Sequence, residues 1–364
     1  MASPPLDPVV TSDTSTDWNL VADIGGTNVR IGAADPRAGT YDPASVVRWQ
    51  ISDFPTPLQA FQAFMEHRGA VLGTADGTSL TPPKTIALCA AGPVTSDGGR
   101  AGRVDLTNNT WIVDGDEVAS ALGAQNGLLI NDAQATALAL PALQIGHGLE
   151  IVPSRADTLE KRERAIAPAA LVSPGTGLGV ATLFPVPAND RIDWHVIAGE
   201  GGHVTMPACT DREAEVIRRV RFLYKKHASA EKLISGMGLE SIYETLHILD
   251  GRPATALQAA SITKAALAGS DETAIEALEM FCAMLGTIAG NLGLTLNARG
   301  GVFIGGGIIP RMTDFLQKSA FRTRFEDKGR LAPYMATLPT YIVTHEDPAL
   351  LGLARFASGF GHCL

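Results

Sequence analysis

Short apolar runs alternate with longer amphipathic segments along most of the chain. Runs of apolar and β-branched residues that end at glycine or a polar residue predict strands. The predicted strands are residues 20–24, 29–33, 85–90, 127–130, 169–173, 179–184, 301–304 and 339–343. Apolar residues at helical spacing predict helices at residues 133–140, 212–227, 237–249, 255–268 and 272–296. The alternation of the two element types predicts an α/β architecture with helices packed on sheets.

One supersecondary pattern occurs twice. A strand, a turn of glycine and threonine, and a second strand run through residues 23–30 and again through residues 173–180. Each half of the chain is therefore predicted to begin with the same hairpin. A cleft lined by two such turns would hold a polyphosphate from both sides.

Composition narrows the class of protein. The 364 residues predict two domains, and the formal net charge of -9 argues against nucleic acid or an anionic membrane as a partner. No apolar run is long enough for a membrane helix, and the four cysteines contain no CxxC pair that would indicate a zinc site. Residues 1–18 lack the features of a targeting peptide and are predicted to be a disordered tail. The charged residues 153–168 are predicted to be a surface insertion. A cytoplasmic protein is expected.

The first turn combines a carboxylate, two glycines and a hydroxyl. Asp23 lies at a strand end, followed by Gly25, Gly26, Thr27 and Asn28. Glycine lets backbone N–H groups approach an anion closely, and the carboxylate could hold a hydrated Mg²⁺. We predict a phosphate-binding turn here. The alternative is a hairpin whose glycines only supply positive φ.

The second turn, formed by Gly175, Thr176 and Gly177, repeats this combination of small residues around one hydroxyl. The chain contains no GxxxxGK[ST] sequence, so phosphate binding would depend on backbone amides and Mg²⁺.

A third glycine cluster follows the predicted strand at 301–304 and consists of Gly305, Gly306 and Gly307. It does not fit a dinucleotide fingerprint, because the third glycine of GxGxxG would fall at Pro310. A flat backbone on which an adenine ring lies is one interpretation. A simple strand-to-helix turn is the other.

Asn131 and Asp132 lie where a buried strand is predicted to end and a helix to begin. Cleft residues of α/β folds collect at such strand ends, and a helix N-terminus favours an ionised carboxylate. Asp132 is thus a candidate base that accepts a hydroxyl proton during phosphoryl transfer. The alternative is a helix-capping pair.

Three further polar residues suit a polyol ligand. Glu200 and His203 flank two glycines, and together they offer acceptors and a mixed donor and acceptor. Glu231 lies near the start of a helix predicted at 229–234, where it could equally complement the helix dipole. His203 could be a core histidine and Glu200 a surface acid.

Taken together, these segments resemble the bacterial glucokinase family of the hexokinase, actin and heat-shock ATPase superfamily. The resemblance covers residue 20 to the C-terminus through the sequences DIGGTNVR, LTNNTW, INDAQA, PGTGLGVA, GEGGHV, SAEKLISG, GGVFIGGGIIPR, FEDKGR and HEDPALLG. The related ROK branch carries a cysteine-rich zinc motif that this chain lacks, so the chain resembles the zinc-free, non-ROK branch.

The resemblance implies ATP-dependent phosphorylation of D-glucose at its 6-hydroxyl, with Asp132 as general base. It implies a two-domain actin-like ATPase fold, which is ribonuclease H-like, with the active site in the interdomain cleft. ATP and Mg²⁺ would be the cofactors, and the chain would form a homodimer. Glucose would be bound by Asn108, Asn131, Asp132, Glu200, His203 and Glu231, the phosphates by residues 23–28 and 175–177, and adenosine by residues 305–307.

The expected domains are a small one, residues 19–143 with 345–364, and a large one, residues 144–344. Two rival functions are a sugar-responsive regulator and a structural ATPase of the same superfamily. A regulator would need a DNA-reading module, for which the residues before the first strand are too few. The structural ATPase would leave the polyol-binding residues without a purpose. The sequence does not decide between glucose and other hexoses as the phosphoryl acceptor. It also does not decide between ATP and ADP or polyphosphate as the phosphoryl donor.

Overall fold

The computed structural model describes residues 17–72, 80–92, 94–95, 102–106, 109–154, 166–188, 191–225 and 227–363. The chain divides into two compact units. The small unit comprises Met1–Leu140 and Asp347–His362, and the large unit Pro141–Glu346 and Cys363–Leu364. The domain boundaries expected from the sequence stay a prediction.

The described residues form α-helices and strands throughout both units. The strands are β1 (Asn19–Ile24), β2 (Asn28–Asp35), β3 (Thr40–Tyr41), β4 (Val47–Gln50), β5 (Thr85–Ala90), β6 (Arg103–Asp105), β7 (Ile112–Asp114), β8 (Asn126–Asn131), β9 (Gln144–Ile145), β10 (Gly148–Val152), β11 (Ala169–Pro174), β12 (Leu178–Ala188), β13 (Arg191–Gly199), β14 (Gly301–Ile304), β15 (Thr340–Val343) and β16 (Gly361–Cys363). The helices are α1 (Pro57–Val71), α2 (Gly115–Leu122), α3 (Asp132–Ala139), α4 (Asp211–Leu223), α5 (Gly236–Leu249), α6 (Ala259–Ala268), α7 (Glu272–Leu296), α8 (Thr313–Lys318), α9 (Phe321–Glu326), α10 (Ala332–Ala336) and α11 (Pro348–Ala357).

The sheet of the small unit has the strand order β3-β2-β1-β5-β8, and β4 also pairs with β2. β1 and β2 form the predicted antiparallel hairpin, whereas β1, β5 and β8 run parallel. In this register Asp23 pairs with Cys89, and Cys89 pairs with Ile130. Because the carboxyl ends of parallel strands meet at one edge of a sheet, Asp23 and Asn131 lie at the same edge.

The core of the small unit is formed by apolar residues of β1, β2, β5, α1 and α2. Helices α3 and α11 pack against each other and against β5. Trp18, which the sequence places in the disordered tail, belongs to this core: it is buried, and its Nε1 donates to Thr81 O at 2.9 Å. Residues 1–16 of the predicted tail lie outside the described residues, as do residues 155–165 of the predicted insertion.

The sheet of the large unit contains the order β13-β12-β11-β14-β15-β10-β9. β11 and β12 form an antiparallel hairpin, and β11, β14 and β15 run parallel. The order and directions of β12-β11-β14-β15 are therefore those of β2-β1-β5-β8 in the small unit. The predicted recurrence of the hairpin is confirmed, but the large unit does not begin with it, because β9 and β10 precede β11.

Helix α7 forms the centre of the large unit's core, where it packs against α5, α6 and α9. Its capping residue Asp271 accepts hydrogen bonds from Thr273 N and Ala274 N. Among the described residues α7 is the one helix long and apolar enough to cross a bilayer, but 78% of its most apolar window is buried inside the unit. Its apolar character is that of a core helix.

Three helix predictions are corrected by the structure. The helix predicted at 212–227 ends at Leu223, shortly before Lys225, whose φ is 53°. The helix predicted at 255–268 begins only at Ala259, whose N–H donates to the carboxylate of Glu240. No helix covers 229–234: the N–H groups of Ala230 and Glu231 instead donate to Val204 O and Gly202 O.

Candidate active site

Asp23 stands at the centre of a polar cluster in the small unit. Its Oδ2 accepts a hydrogen bond from Arg30 Nη1 at 3.0 Å, and its Oδ1 accepts one from the Cys89 thiol at 3.5 Å. Burial raises the pKa of the Asp23 carboxyl group, and the nearby Arg30 guanidinium opposes this effect. Burial and the neighbouring carboxylates raise the pKa of the Cys89 thiol well above its ordinary value, which keeps the thiol protonated.

Asp132 is the first residue of α3 and follows directly on β8. Its Oδ1 accepts a hydrogen bond from Ala133 N at 2.8 Å. Burial, and after it the charge of Asp23, raise the pKa of Asp132 to about 6. The strand end thus presents a carboxyl group that changes its charge close to neutral pH.

Asn131 caps α3. Its Oδ1 accepts from Ala133 N at 2.8 Å, while its own N–H donates to Gln134 Oε1 at 3.1 Å. Its Nδ2 donates to Gly92 O at 3.2 Å. The capping interpretation is therefore correct for Asn131, and these contacts fix the residue that precedes the candidate base.

Arg30, Arg48 and Asp347 complete the cluster around Asp23, and none of the three is among the site residues predicted from the sequence. Arg48 Nη2 donates to Asp347 Oδ2 at 2.6 Å, and Arg30 Nε lies 3.7 Å from Asp347 Oδ1. The signal for Arg30 was present in the sequence, because a tight hairpin places it opposite Asp23. Nothing local indicates the Arg48–Asp347 pair, whose members are 299 residues apart.

The turn between β1 and β2 presents exposed residues at its tip. Thr27 and Asn28 are exposed, and Gly25 N donates to Asn28 O at 2.9 Å. The φ of Gly25 lies outside the left-handed region, so positive φ does not explain this glycine. Gly26 is half-buried beside it. A Cβ on Gly25 would lie 3.3 Å from Asn28 O, so the tight turn itself favours glycine there, and phosphate binding by this turn stays a prediction.

The matching turn of the large unit is closed by a hydrogen bond from Gly175 N to Gly177 O at 2.8 Å. Thr176 at its tip is exposed. Glu231 reaches this turn from another segment: its Oε2 accepts from Leu178 N at 3.1 Å. The absence of a helix at 229–234 removes the helix-dipole explanation for Glu231.

Glu200 and His203 lie on the loop after β13. His203 Nε2 is 3.7 Å from Glu200 Oε2, and the two side chains are 59% and 75% exposed. His203 is therefore not a core histidine. Glu231 N donates to Gly202 O at 2.9 Å, so the loop and Glu231 are neighbours within the large unit.

The third glycine cluster also packs against the large unit's turn. Gly305 N donates to Val172 O at 2.9 Å. Gly306 has a φ of +83°, and a Cβ at this position would lie 2.1 Å from Pro174 O. Gly307 is exposed. The cluster thus needs glycine for its own packing, and it leaves exposed backbone next to residues 175–177.

The structure therefore gathers the predicted residues into two groups, one in each unit. The small-unit group consists of residues 23–28 with Asn131 and Asp132, and the large-unit group of residues 175–177 and 305–307 with Glu200, His203 and Glu231. Asn108 lies outside the described residues.

Asp23 fits the chemistry of a hydrated Mg²⁺. This ion binds through one or two carboxylates, waters and substrate phosphates rather than through an all-protein cage. Within the described ranges, no three or more His, Cys, Asp or Glu side chains come together to hold a metal ion. A single carboxylate, at 17% side-chain exposure, suits a contact through water.

Sequence comparison decides the family. A sequence model described as glucokinase matches residues 20–359. The chain belongs to the glucokinase family. A glucokinase of Paramagnetospirillum magneticum is 40% identical over 336 residues, which cover 92% of this chain and 96% of that protein.

Solved structures show the same fold. The crystal structure of a glucokinase from an Antarctic psychrotroph superposes with a TM-score of 0.75 at 31% identity, covering 94% of this glucokinase-family chain and 98% of the other. A glucokinase from Balamuthia mandrillaris, solved in complex with glucose, gives 0.71 at 19% identity, covering 95% of each chain. The fold of this family member is thus the mixed α/β, actin-like ATPase fold of glucokinases and ROK sugar kinases.

Proposed function

We propose that this member of the glucokinase family transfers the γ-phosphoryl group of ATP to the 6-hydroxyl of D-glucose, with Asp132 as general base. The family match over residues 20–359 implies the reaction. The observation that supports the base is the position of Asp132 at the end of β8 with a pKa of about 6.

A general base works best when its pKa lies near the operating pH. At pH 7 most of the Asp132 population is ionised and can accept the proton of the 6-hydroxyl as the phosphoryl group arrives. The capping contacts of Asn131 hold the start of α3 in place, which fixes the direction from which the carboxylate approaches the sugar.

ATP would be held by the backbone of the two hairpin turns. N–H groups of residues 25–28 and 175–177 would bind phosphate oxygens, and the exposed backbone at 305–307 would lie against adenosine. Bound Mg²⁺ would neutralise charge that develops on the phosphates, with Asp23 as its water-mediated protein contact. The Arg30 contact orients the Asp23 carboxylate for this role.

Glucose would be bound by hydrogen-bonding side chains from both the small-unit group and the large-unit group of residues. Glu200, His203 and Glu231 supply carboxylates and an imidazole, and Asn131 and Asn108 supply amides. A sugar hydroxyl both donates and accepts, so charged acceptors next to an imidazole match it. This set distinguishes the proposed enzyme from a structural ATPase, which has no use for such residues.

The remaining expectations belong to the same proposal. They are the interdomain cleft, the expected domain boundaries, a cytoplasmic location and a homodimer. Light scattering coupled to gel filtration tests the homodimer: a mass of twice 38.1 kDa is expected, and a monomer at micromolar concentration contradicts it.

A kinase assay on the purified chain tests the function. Glucose, mannose, fructose and glucosamine are each combined with ATP, ADP or polyphosphate, with and without Mg²⁺. We expect the highest kcat/KM for glucose with ATP and Mg²⁺. ATP hydrolysis that is independent of every sugar would instead favour a structural ATPase.

A further inference from the structure

Glu231 contacts the predicted phosphate turn directly. Its Oε2 accepts a hydrogen bond from Leu178 N at 3.1 Å. A Cβ built on Gly177 would lie only 2.6 Å from the same oxygen. A carboxylate oxygen therefore occupies the space that a side chain at position 177 would need, so any side chain there would displace the end of the flexible Glu231 side chain.

Backbone contacts on both sides maintain this arrangement. Gly236 N donates to Gly175 O, and Glu231 N donates to Gly202 O, each at 2.9 Å. A Cβ on Gly202 would lie 2.2 Å from Leu178 O. The sugar-reading loop at 200–203, the segment 231–236 and the turn at 175–177 thus form one connected set of contacts within the large unit.

We propose that Glu231 couples glucose binding to phosphate binding. This inference rests on the proposed function, in which Glu231 contacts glucose and the turn contacts ATP. One carboxylate then has two partners, a glucose hydroxyl and the Leu178 amide. Because hydrogen bonds to a charged group are roughly twice as strong as neutral ones, the orientation of this carboxylate bears on the position of the Leu178 amide, which directly follows the turn.

The coupling has a consequence for specificity. A sugar that fails to engage Glu231 leaves its carboxylate without the second partner, so the hydrogen bond to Leu178 N holds the phosphate turn less firmly. Glucose therefore raises the affinity for ATP, and ATP raises the affinity for glucose by the same factor. This arrangement discourages ATP binding when no correct sugar is present.

Two alanine substitutions in the large unit test the coupling. Gly177→Ala displaces the Glu231 carboxylate, whereas a Cβ on Gly199 meets no atom within 4 Å. Calorimetry without nucleotide should show glucose Kd raised about tenfold by Gly177→Ala and changed less than about twofold by Gly199→Ala. Equal glucose Kd in wild type and both variants overturns the coupling and leaves the proposed function intact. A wild type that does not bind glucose overturns the proposed function itself.

A second variant adds no bulk and covers the case in which Gly177→Ala does not fold. The Kd of a non-hydrolysable ATP analogue is measured with and without saturating glucose. In wild type we expect glucose to lower this Kd about fivefold or more. In Glu231→Gln, the factor by which glucose lowers the Kd of the ATP analogue should fall below about twofold, while both ligands still bind. Glu215→Gln, on the exposed surface of α4, is the control for lost charge. An unchanged factor in Glu231→Gln overturns the coupling.

Discussion

The proposed mechanism requires the carboxyl group of Asp132 to be buried and ionised at the same time. Burial holds its pKa at about 6, against an ordinary value of 3.8. The carboxylate is therefore a stronger base than an exposed aspartate, which suits proton abstraction from a hydroxyl. The same burial destabilises the folded chain whenever the carboxylate is ionised, so function and stability oppose each other at this residue.

Asp132→Asn should make the folded protein more stable at neutral pH. Because the pKa is higher in the folded state than in the unfolded state, wild type loses stability as pH rises from about 4 to about 6 and then levels off. The rise in the pKa of Asp132 lowers the free energy of unfolding by at most about 3 kcal/mol at pH 8. It lowers it by almost nothing at pH values below the pKa of the unfolded state. Asparagine does not titrate and can still accept from Ala133 N.

The measurement is the melting temperature from pH 4.5 to 8. The difference in melting temperature between Asp132→Asn and wild type should grow with pH up to about 7. The control is Asp105→Asn, which removes an exposed carboxylate in the same unit and should show no such trend. A difference in melting temperature that does not change with pH would show that burial does not raise the pKa of Asp132.

Asp23 contributes to the raised pKa of Asp132, and removing its charge should reverse that contribution. In Asp23→Asn the pKa of Asp132 is expected to fall below about 6, so the acid limb of kcat/KM moves to lower pH. Carbon NMR of the Asp132 carboxyl group in the ligand-free protein measures this independently of activity. An unchanged midpoint would contradict electrostatic contact between the two carboxyl groups.

At the scale of elements, α3 is held in place by α11. The two helices approach so closely at Gly352 that a Cβ there would lie 1.7 Å from Ala135 O. Gly352→Ala should therefore force the helices apart, destabilise the fold by about 1–3 kcal/mol and lower kcat, because α3 begins with Asp132. Thermal unfolding and kinetics measure both effects.

Gly199→Ala provides the control for this variant, because a Cβ on Gly199 meets no atom within 4 Å. It should melt within a degree or two of wild type, the usual range for a surface substitution. Normal stability and turnover in Gly352→Ala would mean that the contact between α3 and α11 does not position the base.

The sequence predicts elements well where the pattern and the terminal residues agree. The bounds of α7, β5 and β14 follow from their apolar runs, and Asp271 marks the start of α7. Residues 229–234 were predicted as helix, and this was wrong because they pair with residues 202–206, a tertiary contact that no local pattern records. The contact between Glu231 and Leu178 was unpredictable for the same reason.

The site shows the same division. Asp132 could be predicted because the end of a parallel strand is where cleft residues collect, and its position needs only the strand and helix that flank it. Asp347 could not, since its contacts with Arg30 and Arg48 depend on how α11 packs on the sheet.

At the scale of the whole molecule, each unit contains four strands in the same order and directions, and the antiparallel hairpin of each set has a glycine turn. The small unit contributes the pair of carboxylates, and the large unit contributes Glu200, His203 and Glu231. In the proposed function, the small unit would supply the base, and the large unit would supply most of the groups that recognise the sugar.

Formation of glucose 6-phosphate by wild type and by Asp132→Asn, with ATP and Mg²⁺ at saturating glucose, tests most directly whether this chain phosphorylates glucose through Asp132. We expect wild type to form the product and kcat of the variant to fall about 10²- to 10⁴-fold, while calorimetry still detects glucose binding. A wild type that forms no glucose 6-phosphate, or a variant that turns over at a near-normal rate, would contradict this.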